Sequence, residues 1–249
     1  MCLLMVIHKG VPGHPIVIVA NRDEYYDRPT QEPHQLAHTP AIWGGRDTRA
    51  GGTWLGVNIH GLAIGLTNRR IREDQENDPQ RRSRGLLCLE ALHCSTAAEA
   101  VDLVLSEAPD RYNPFNLLII DHHELLWAAY EGKVSIHRLE PGLHILANGN
   151  INDFETVRIR RARRLLQHAP YMEWQCCLPL LQQVCRDHEN GVKDRETICM
   201  HRDHERYGTV SSTILALTPE IAGSMYHYAA GQPCIIPYRD YSSLLTPAP

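Results

Sequence analysis

Cys2, Arg22, Asp23 and Glu24 are the residues whose types and placement suggest chemistry in this sequence. A cysteine sulfur attacks as its thiolate, and a nearby guanidinium favours that form. Between Cys2 and the charged trio lie two β-branched runs, Leu3 to Ile7 and Ile16 to Ala20, separated by Lys9-Gly10-Val11-Pro12-Gly13. Apolar runs broken by Gly and Pro read as an antiparallel hairpin. A turn centred near Val11 pairs residues whose numbers sum to about 23, give or take one, and so sets Cys2 opposite Asn21 and Arg22. The thiol, the guanidinium and the carboxylates of Asp23 and Glu24 then share one edge. If Met1 is removed, which the small Cys2 side chain permits, thiol and free α-amine belong to one residue. An α-amine titrates near ~8, so part of it is neutral and able to take the thiol proton. No separate histidine is required. Taken alone, a cysteine in second position is an ordinary core-strand residue; the corner facing it is what favours chemistry.

The rest of the chain must position that corner. Thr30 to Arg49, with Pro29, Pro33, Pro40 and the Gly44–Gly45 pair, reads as a long irregular loop. In Gly51-Gly52-Thr53-Trp54-Leu55-Gly56 the glycines flank a strand and suit close backbone approach beside the nucleophile. A bulge with Trp54 as core explains the same residues equally well. Gly52, Thr53 and Trp54, with Glu24, are the substrate-binding candidates. The strand turns at Asn58–Gly61 and returns through Leu62 to Thr67, leaving Asn68 at a strand end. Arg69 to Arg84 mixes both charge signs and reads as a solvated loop. Gly85–His93 is helical, and Thr96-Ala97-Ala98-Glu99 opens a second helix with a capping box. Its apolar stripe is Ala100, Val101, Val104, Leu105 and Ala108, and Pro109 ends it.

Phe115–Asp121, Leu125–Tyr130, Lys133–Leu139 and Leu143–Asn148 read as one meander whose last strand delivers Asn148 to an edge. Asn152–Asp153 caps a helix reaching about Gln167, with Ile159, Ala162, Leu165 and Leu166 as its buried stripe. Arg158, Arg160, Arg161, Arg163 and Arg164 make the remainder cationic. That face is either simply solvated or a site for an anionic partner such as an acyl-CoA phosphate, a lipid headgroup or haem propionates. Met172 to Arg186 is helical, with Pro179 at its start or at a kink. Thr209–Leu217 and Ser224–Ala229 close the chain as a hairpin, followed by Cys234–Tyr238. Ser211, Ser212 and Thr213 line the first of these strands. Cys176, Cys177, Cys185 and His188, or Cys199, His201 and His204, lack the paired CxxC spacing of structural zinc, so neither a metal nor a cofactor is expected.

Composition fits one compact domain spanning 1–249: 43% of the residues are hydrophobic, enough for a sizeable core. The net charge of −4 disfavours nucleic acid and anionic membranes as partners. Met1–Ile7 has no basic leader and its apolar run stops at His8–Lys9, so no signal peptide is expected. Nor does any apolar stretch reach transmembrane length. The eight cysteines lack a framework spacing and read as reduced thiols, which points to the cytoplasm.

Several stretches together resemble the NRDE family, also called the transport and Golgi organisation family: MCLL, ANRDEYYDRP (Ala20–Pro29), GGTWLGV (Gly51–Val57) and GLAIGLTNRR (Gly61–Arg70). FNLLIID (Phe115–Asp121), LAN (Leu146–Asn148) and YGTVSSTILAL (Tyr207–Leu217) continue the resemblance along nearly the whole chain. It implies an α+β, N-terminal-nucleophile-hydrolase-like fold: a four-layer αββα sandwich of two antiparallel sheets between helical layers. Family members are connected with Golgi organisation, lipid handling and haem trafficking, which implies a small-molecule acyl substrate or a haem or lipid ligand. A more distant similarity to choloylglycine hydrolases and penicillin acylases matches Cys2 to their nucleophile and Arg22 to their arginine. Asn68 and Asn148 match their asparagines near the oxyanion. Those enzymes place an aspartate three residues after the arginine, where this chain has Tyr25, with Asp23 directly after Arg22. Their C-terminal arginine has no counterpart here, where Val210 stands in the TVSST strand.

Overall fold

The computed structural model describes residues 2–70, 77–106, 111–188 and 196–246. It forms two compact units: Met1–Arg28 with Pro141–Pro249, and Pro29–Glu140.

β1 (Cys2–Val11) and β2 (His14–Tyr25) open the first unit as the expected hairpin, with longer strands than the apolar runs alone suggest. Cys2 faces Arg22 and Leu3 faces Asn21, a sum of 24 that lies within the expected register. The turn is Pro12–Gly13 alone, Gly13 having φ 75°, as the third position of a tight turn after proline requires. Lys9 and Gly10 form an irregularity inside β1 rather than the turn.

The chain then enters the second unit. Thr30 to Arg49 is not irregular: it contains β3 (Thr30–His38) and β4 (Ala41–Asp47). β3 is an edge strand, polar and half-exposed, and its register shifts around Pro33, where an edge tolerates proline. β5 (Leu55–Asn58) and β6 (Ala63–Asn68) follow, so the strand begins after Trp54 and Asn68 ends the return strand as expected. α1 (Arg84–Ala91) and α2 (Ala97–Ser106) come next, and Glu99 N–H donates to Thr96 Oγ1 at 3.2 Å. Glu99's carboxylate accepts from Ser95 N–H at 2.7 Å, while Asp121 accepts from Ala97 N–H at 2.8 Å. Leu105, expected in the buried stripe, is exposed, and Ala108 and Pro109 lie outside the described residues.

β7 (Phe115–Ile120), β8 (Leu125–Tyr130) and β9 (Val134–Leu139) complete a sheet ordered β3-β4-β5-β6-β7-β8-β9. Ile42, Ile64, Leu117, Ile119 and Ala128 of that sheet form one core with Leu87, Cys88 and Ala91 of α1 and Ala100 and Val104 of α2. The arginines before α1 are less solvated than their charge suggests. Arg69 pairs with Glu131 and Arg82 with Glu90; residues 71–76 of the segment lie outside the described residues.

The fourth strand of the expected meander does not join its neighbours. β10 (Gly142–Leu146) pairs with β1 in the first unit. α3 (Val157–Leu166) has Thr156, not Asn152–Asp153, at its N-cap, with no side-chain capping bond; the Thr156 hydroxyl donates to Asp153 at 3.0 Å. α4 (Trp174–Cys185) runs through Pro179, which neither starts nor ends it. β11 (His201–Arg202), β12 (Tyr207–Leu217), β13 (Met225–Ala229) and β14 (Arg239–Asp240) finish a sheet ordered β10-β1-β2-β12-β13-β14, with β11 against β12. Cys234–Tyr238 is not a strand. Leu3, Met5, Ile7, Val17 and Val19 alternate onto one face and pack with Ile159, Ala162 and Leu166 of α3 and Leu181 and Val184 of α4. The α+β class expected from the sequence is the class observed, with every strand pairing antiparallel.

The glycines of Gly51–Gly56 serve packing inside the second unit. A Cβ on Gly52 would fall 2.2 Å from the Gly85 carbonyl carbon, where Thr53 N–H donates to Gly85 at 3.0 Å. One on Gly45 would strike the Trp54 ring at 2.5 Å. Backbone on both sides cannot yield as a side chain does, so Gly52→Ala is expected to cost about 1–3 kcal/mol. Urea denaturation would show it as a lowered midpoint with the slope unchanged.

Candidate active site

The corner where β1 begins and β2 ends carries the nucleophile candidate. Cys2 is the partner of Arg22 on β2, and Arg22 is the partner of Ser211 on β12, so the three lie abreast across three strands. Leu4 faces Leu146 on β10; carried two residues on, that register sets Asn148 level with Cys2, where β10 has already given way to a bend. The first unit therefore brings Cys2, Arg22 and Asn148 to one end of its sheet. Ser211, buried beside them, has no hydrogen-bond partner for its hydroxyl among the described residues.

Strand alternation divides the Asn21-Arg22-Asp23-Glu24 run between two faces. Asn21 and Asp23 turn to the helical side. Asn21 donates to the carbonyls of Cys185 and Ile198, both at 3.0 Å, and accepts from Ser212 at 2.6 Å. The Asp23 carboxylate is 2.9 Å from Arg158 Nη2 of α3 and accepts from Thr209 at 2.7 Å. Both charges are enclosed: Asp23 is 1% exposed and Arg158 3%. Arg158 is thus not on the solvated cationic face expected of its helix. Arg161 is also occupied, 2.6 Å from Asp187, and Arg163 lies over the Phe154 ring. Glu24, partly exposed, accepts from Tyr25 N–H at 3.0 Å and approaches Arg28 at 3.8 Å.

β12 accommodates this arrangement with a bulge. Thr209 pairs with Asp23 and Ser211 with Arg22, which leaves Val210 as the extra residue. Met200 locks the other side of Thr209: its N–H donates to the Thr209 hydroxyl at 2.8 Å and its carbonyl accepts from Thr209 N–H at 2.9 Å. Asp23, Thr209, Arg158 and the Ile198–Met200 segment form one buried network behind the Cys2–Arg22 pair.

Burial pushes the Cys2 thiol above its ordinary value, and the Asp23 carboxylate adds to the rise. Arg22 and a hydrogen bond from the Asp23 backbone N–H act in the opposite direction. Asp23 thus meets the sulfur through its main chain, while its carboxylate is held by Arg158. The remaining candidates belong to the second unit. Asn68 ends β6 opposite Phe115, Thr53 donates to Gly45 at 2.8 Å, and Gly52 and Trp54 pack as described above.

A family model described as Transport and Golgi organisation 2 matches residues 1–227. The chain belongs to that family. The Transport and Golgi organization 2 homolog of Mus musculus is 33% identical over 128 residues, and the human homolog 32% over the same length. These alignments take in 49% of this chain and 45% of each relative, so the chain aligns with about half the length of the curated relatives it matches. Among solved structures, penicillin V acylase from Agrobacterium tumefaciens has a TM-score of 0.63 at 13% identity, over 99% of this chain and 88% of that one. The Caenorhabditis elegans ortholog of N-acylethanolamine-hydrolyzing acid amidase has a TM-score of 0.59 at 14% identity, over 88% and 93%. The N-terminal-nucleophile-hydrolase-like fold expected of the family is therefore the fold of this member.

At this end of the first unit the residue that the sequence pattern misplaces is Arg158. The signal was present: Arg158 sits four residues before Ala162, which sits four before Leu166, on the buried stripe. Asp23→Ala would leave Arg158 buried without its carboxylate, costing roughly 3–5 kcal/mol. The double variant Asp23→Leu/Arg158→Met is expected to recover most of that loss. A double-mutant cycle in guanidinium chloride measures the coupling.

Proposed function

We propose that this chain is a cysteine acyl hydrolase that cleaves an amide or thioester through an acyl-enzyme on Cys2. The observation that carries the reading is the Cys2–Arg22 register. In the proposed reaction the Cys2 sulfur adds to the acyl carbonyl, and its proton passes to the α-amine freed when Met1 is removed. That amine delivers the proton to the leaving amine or thiol as the carbon–nitrogen or carbon–sulfur bond breaks. Water then attacks the thioester and releases the acid. Arg22 stabilises the thiolate by charge. Asn148, level with Cys2, is assigned to the oxyanion, where one well-aimed donor is worth about 2.7–4 kcal/mol. The names of the structural neighbours, an acylase and an acid amidase, support acyl chemistry as the class carried over.

A second reading within the same family is a non-catalytic carrier of haem or an acyl lipid. It is favoured by the burial of the Cys2 thiol, which disfavours the thiolate that catalysis would need. Among the described residues no helix is long and apolar enough to cross a membrane, which suits either reading.

Intact mass and labelling separate the two. The hydrolase reading expects Met1 to be absent from the mature protein and one stoichiometric adduct with an electrophilic acyl probe, abolished by Cys2→Ala. Labelling that survives that substitution would remove it. The carrier reading expects a ligand that co-purifies and persists in Cys2→Ala. With Met1 retained, iodoacetamide alkylation of Cys2 is expected to rise with a midpoint above the ordinary thiol value of 9.0, because burial disfavours the thiolate. Stopped-time mass spectrometry across pH reads that midpoint.

A further inference from the structure

His188, Cys199, His201 and Cys234 come from three separate stretches of the first unit. His188 follows α4, Cys199 and His201 flank Met200 at β11, and Cys234 lies in the loop after β13. Their donor atoms all lie within 4.8 Å of one another. The Sγ atoms of Cys199 and Cys234 are 3.7 Å apart, and His201 Nε2 is 3.5 Å from the first and 3.2 Å from the second. The His188 ring stands perpendicular to that of His201, with centroids 5.4 Å apart.

Those spacings carry the argument. Bonds of about 2.3 Å to sulfur and about 2.05 Å to imidazole on a tetrahedron imply sulfur–sulfur and sulfur–nitrogen edges of about 3.8 Å and about 3.5 Å. Two of the three observed edges match within about a tenth of an ångström, and the third is shorter by about three tenths. A disulfide would need sulfurs at about 2.05 Å, so Cys199 and Cys234 are not in bonding position. Two thiolates and two imidazoles are also the donor set that selects zinc over magnesium or calcium, which take oxygen. A cavity of about 290 Å³, lined by His188, Thr197, Cys199 and His201, gives an ion access to the cluster.

We propose that these four side chains form a tetrahedral Cys₂His₂ site for a divalent cation of the zinc class, with a structural role. Both thiols lose their protons to solvent as the two sulfur–metal bonds form. Four protein ligands fill the tetrahedron and leave no position for a substrate, which distinguishes this site from a catalytic one. What it fixes is the 198–201 segment. Ile198 accepts from Asn21, and Met200 holds Thr209, which in turn holds Asp23. An ion clamped by Cys199 and His201 would anchor that segment to the end of α4 and to the loop after β13. The clamp does not depend on any acyl hydrolysis at Cys2. His204, beside the cluster in sequence, is largely exposed and directed to Glu205 at 3.5 Å, and is not part of it.

The test uses the full chain, purified under reducing conditions, stripped with a chelator and titrated with Zn²⁺ or Co²⁺ alone. One equivalent should bind, with Co²⁺ giving the visible absorption of a tetrahedral thiolate complex. Cys234→Ser should abolish that spectrum. His188→Ala, at an exposed position that the fold tolerates, should weaken zinc at least about tenfold in competition with a chromogenic chelator. His204→Ala should bind as the parent does, and chelation should lower the melting temperature of the parent but not of Cys234→Ser. The proposal is overturned if the parent takes up no ion, if His188→Ala and Cys234→Ser retain parental uptake, or if intact mass shows a Cys199–Cys234 disulfide in the reduced preparation.

Discussion

A buried carboxylate and a buried guanidinium organise the end of the first unit's sheet where Cys2 lies. Asp23 closes β2 and Arg158 begins the core face of α3, and neither has solvent to relieve its charge. Taking either ion out of water costs several kcal/mol, so each is tolerable only because the other is in place and hydrogen-bonded. The pair therefore fixes how far α3 lies along the sheet; Thr209 and Ile198 add hydrogen bonds from two further segments, while Arg158 Nε and Nη1 are buried without a hydrogen-bond partner among the described residues. Cys2 and Arg22 lie on the opposite face of the same strand ends. Their position is set from behind, by a network centred on the other face of those strands.

This arrangement explains how one four-residue run can do two jobs. Asn21 and Asp23 hold the interior together while Arg22 and Glu24 face away from the helices, because side chains in a strand alternate. A single helix turn in the same place would have spread the four around a cylinder and lost that division. The side chain of Asp23 is committed to structure, and its main chain is still available to the sulfur.

Local pattern made the hairpin legible in the sequence. Leu3 to Ile7 and Ile16 to Ala20 are apolar runs whose register follows from the turn between them, and it was right to within one residue. The same logic failed for β3, because a polar edge strand rich in His and Gln lacks alternation and has Thr30 as its single β-branched residue. It failed for β10 because neighbours in sequence had no local reason to part; pairing with β1 is decided by tertiary contact. Arg158 was misread because residue type was weighed above helical phase, although the phase placed it on the buried stripe. Of the cluster around Cys199 the sequence offers only Cys199 and His201 together, beside His204, and without zinc spacing; His188 and Cys234 reach it from segments that share no spacing with them.

The bulge at Val210 bears on which parts of this chain can change length. Ser211 to Leu217 match β2 one for one, and so do Tyr207 to Thr209, but the two halves are out of step by a single residue. Removing that residue would let β12 zip evenly: Thr209 would stay opposite Asp23 and on its side of the sheet, but the local bend and extra twist that a bulge adds would be lost. An evenly paired ladder would gain a little backbone regularity there and forfeit the curvature that carries Tyr207 to Thr209 toward β11 and Met200. Descendants of this sequence should thus keep the residue count from Tyr207 to Leu217 constant while freely exchanging the side chain at 210, so that here a length is inherited more strictly than an identity.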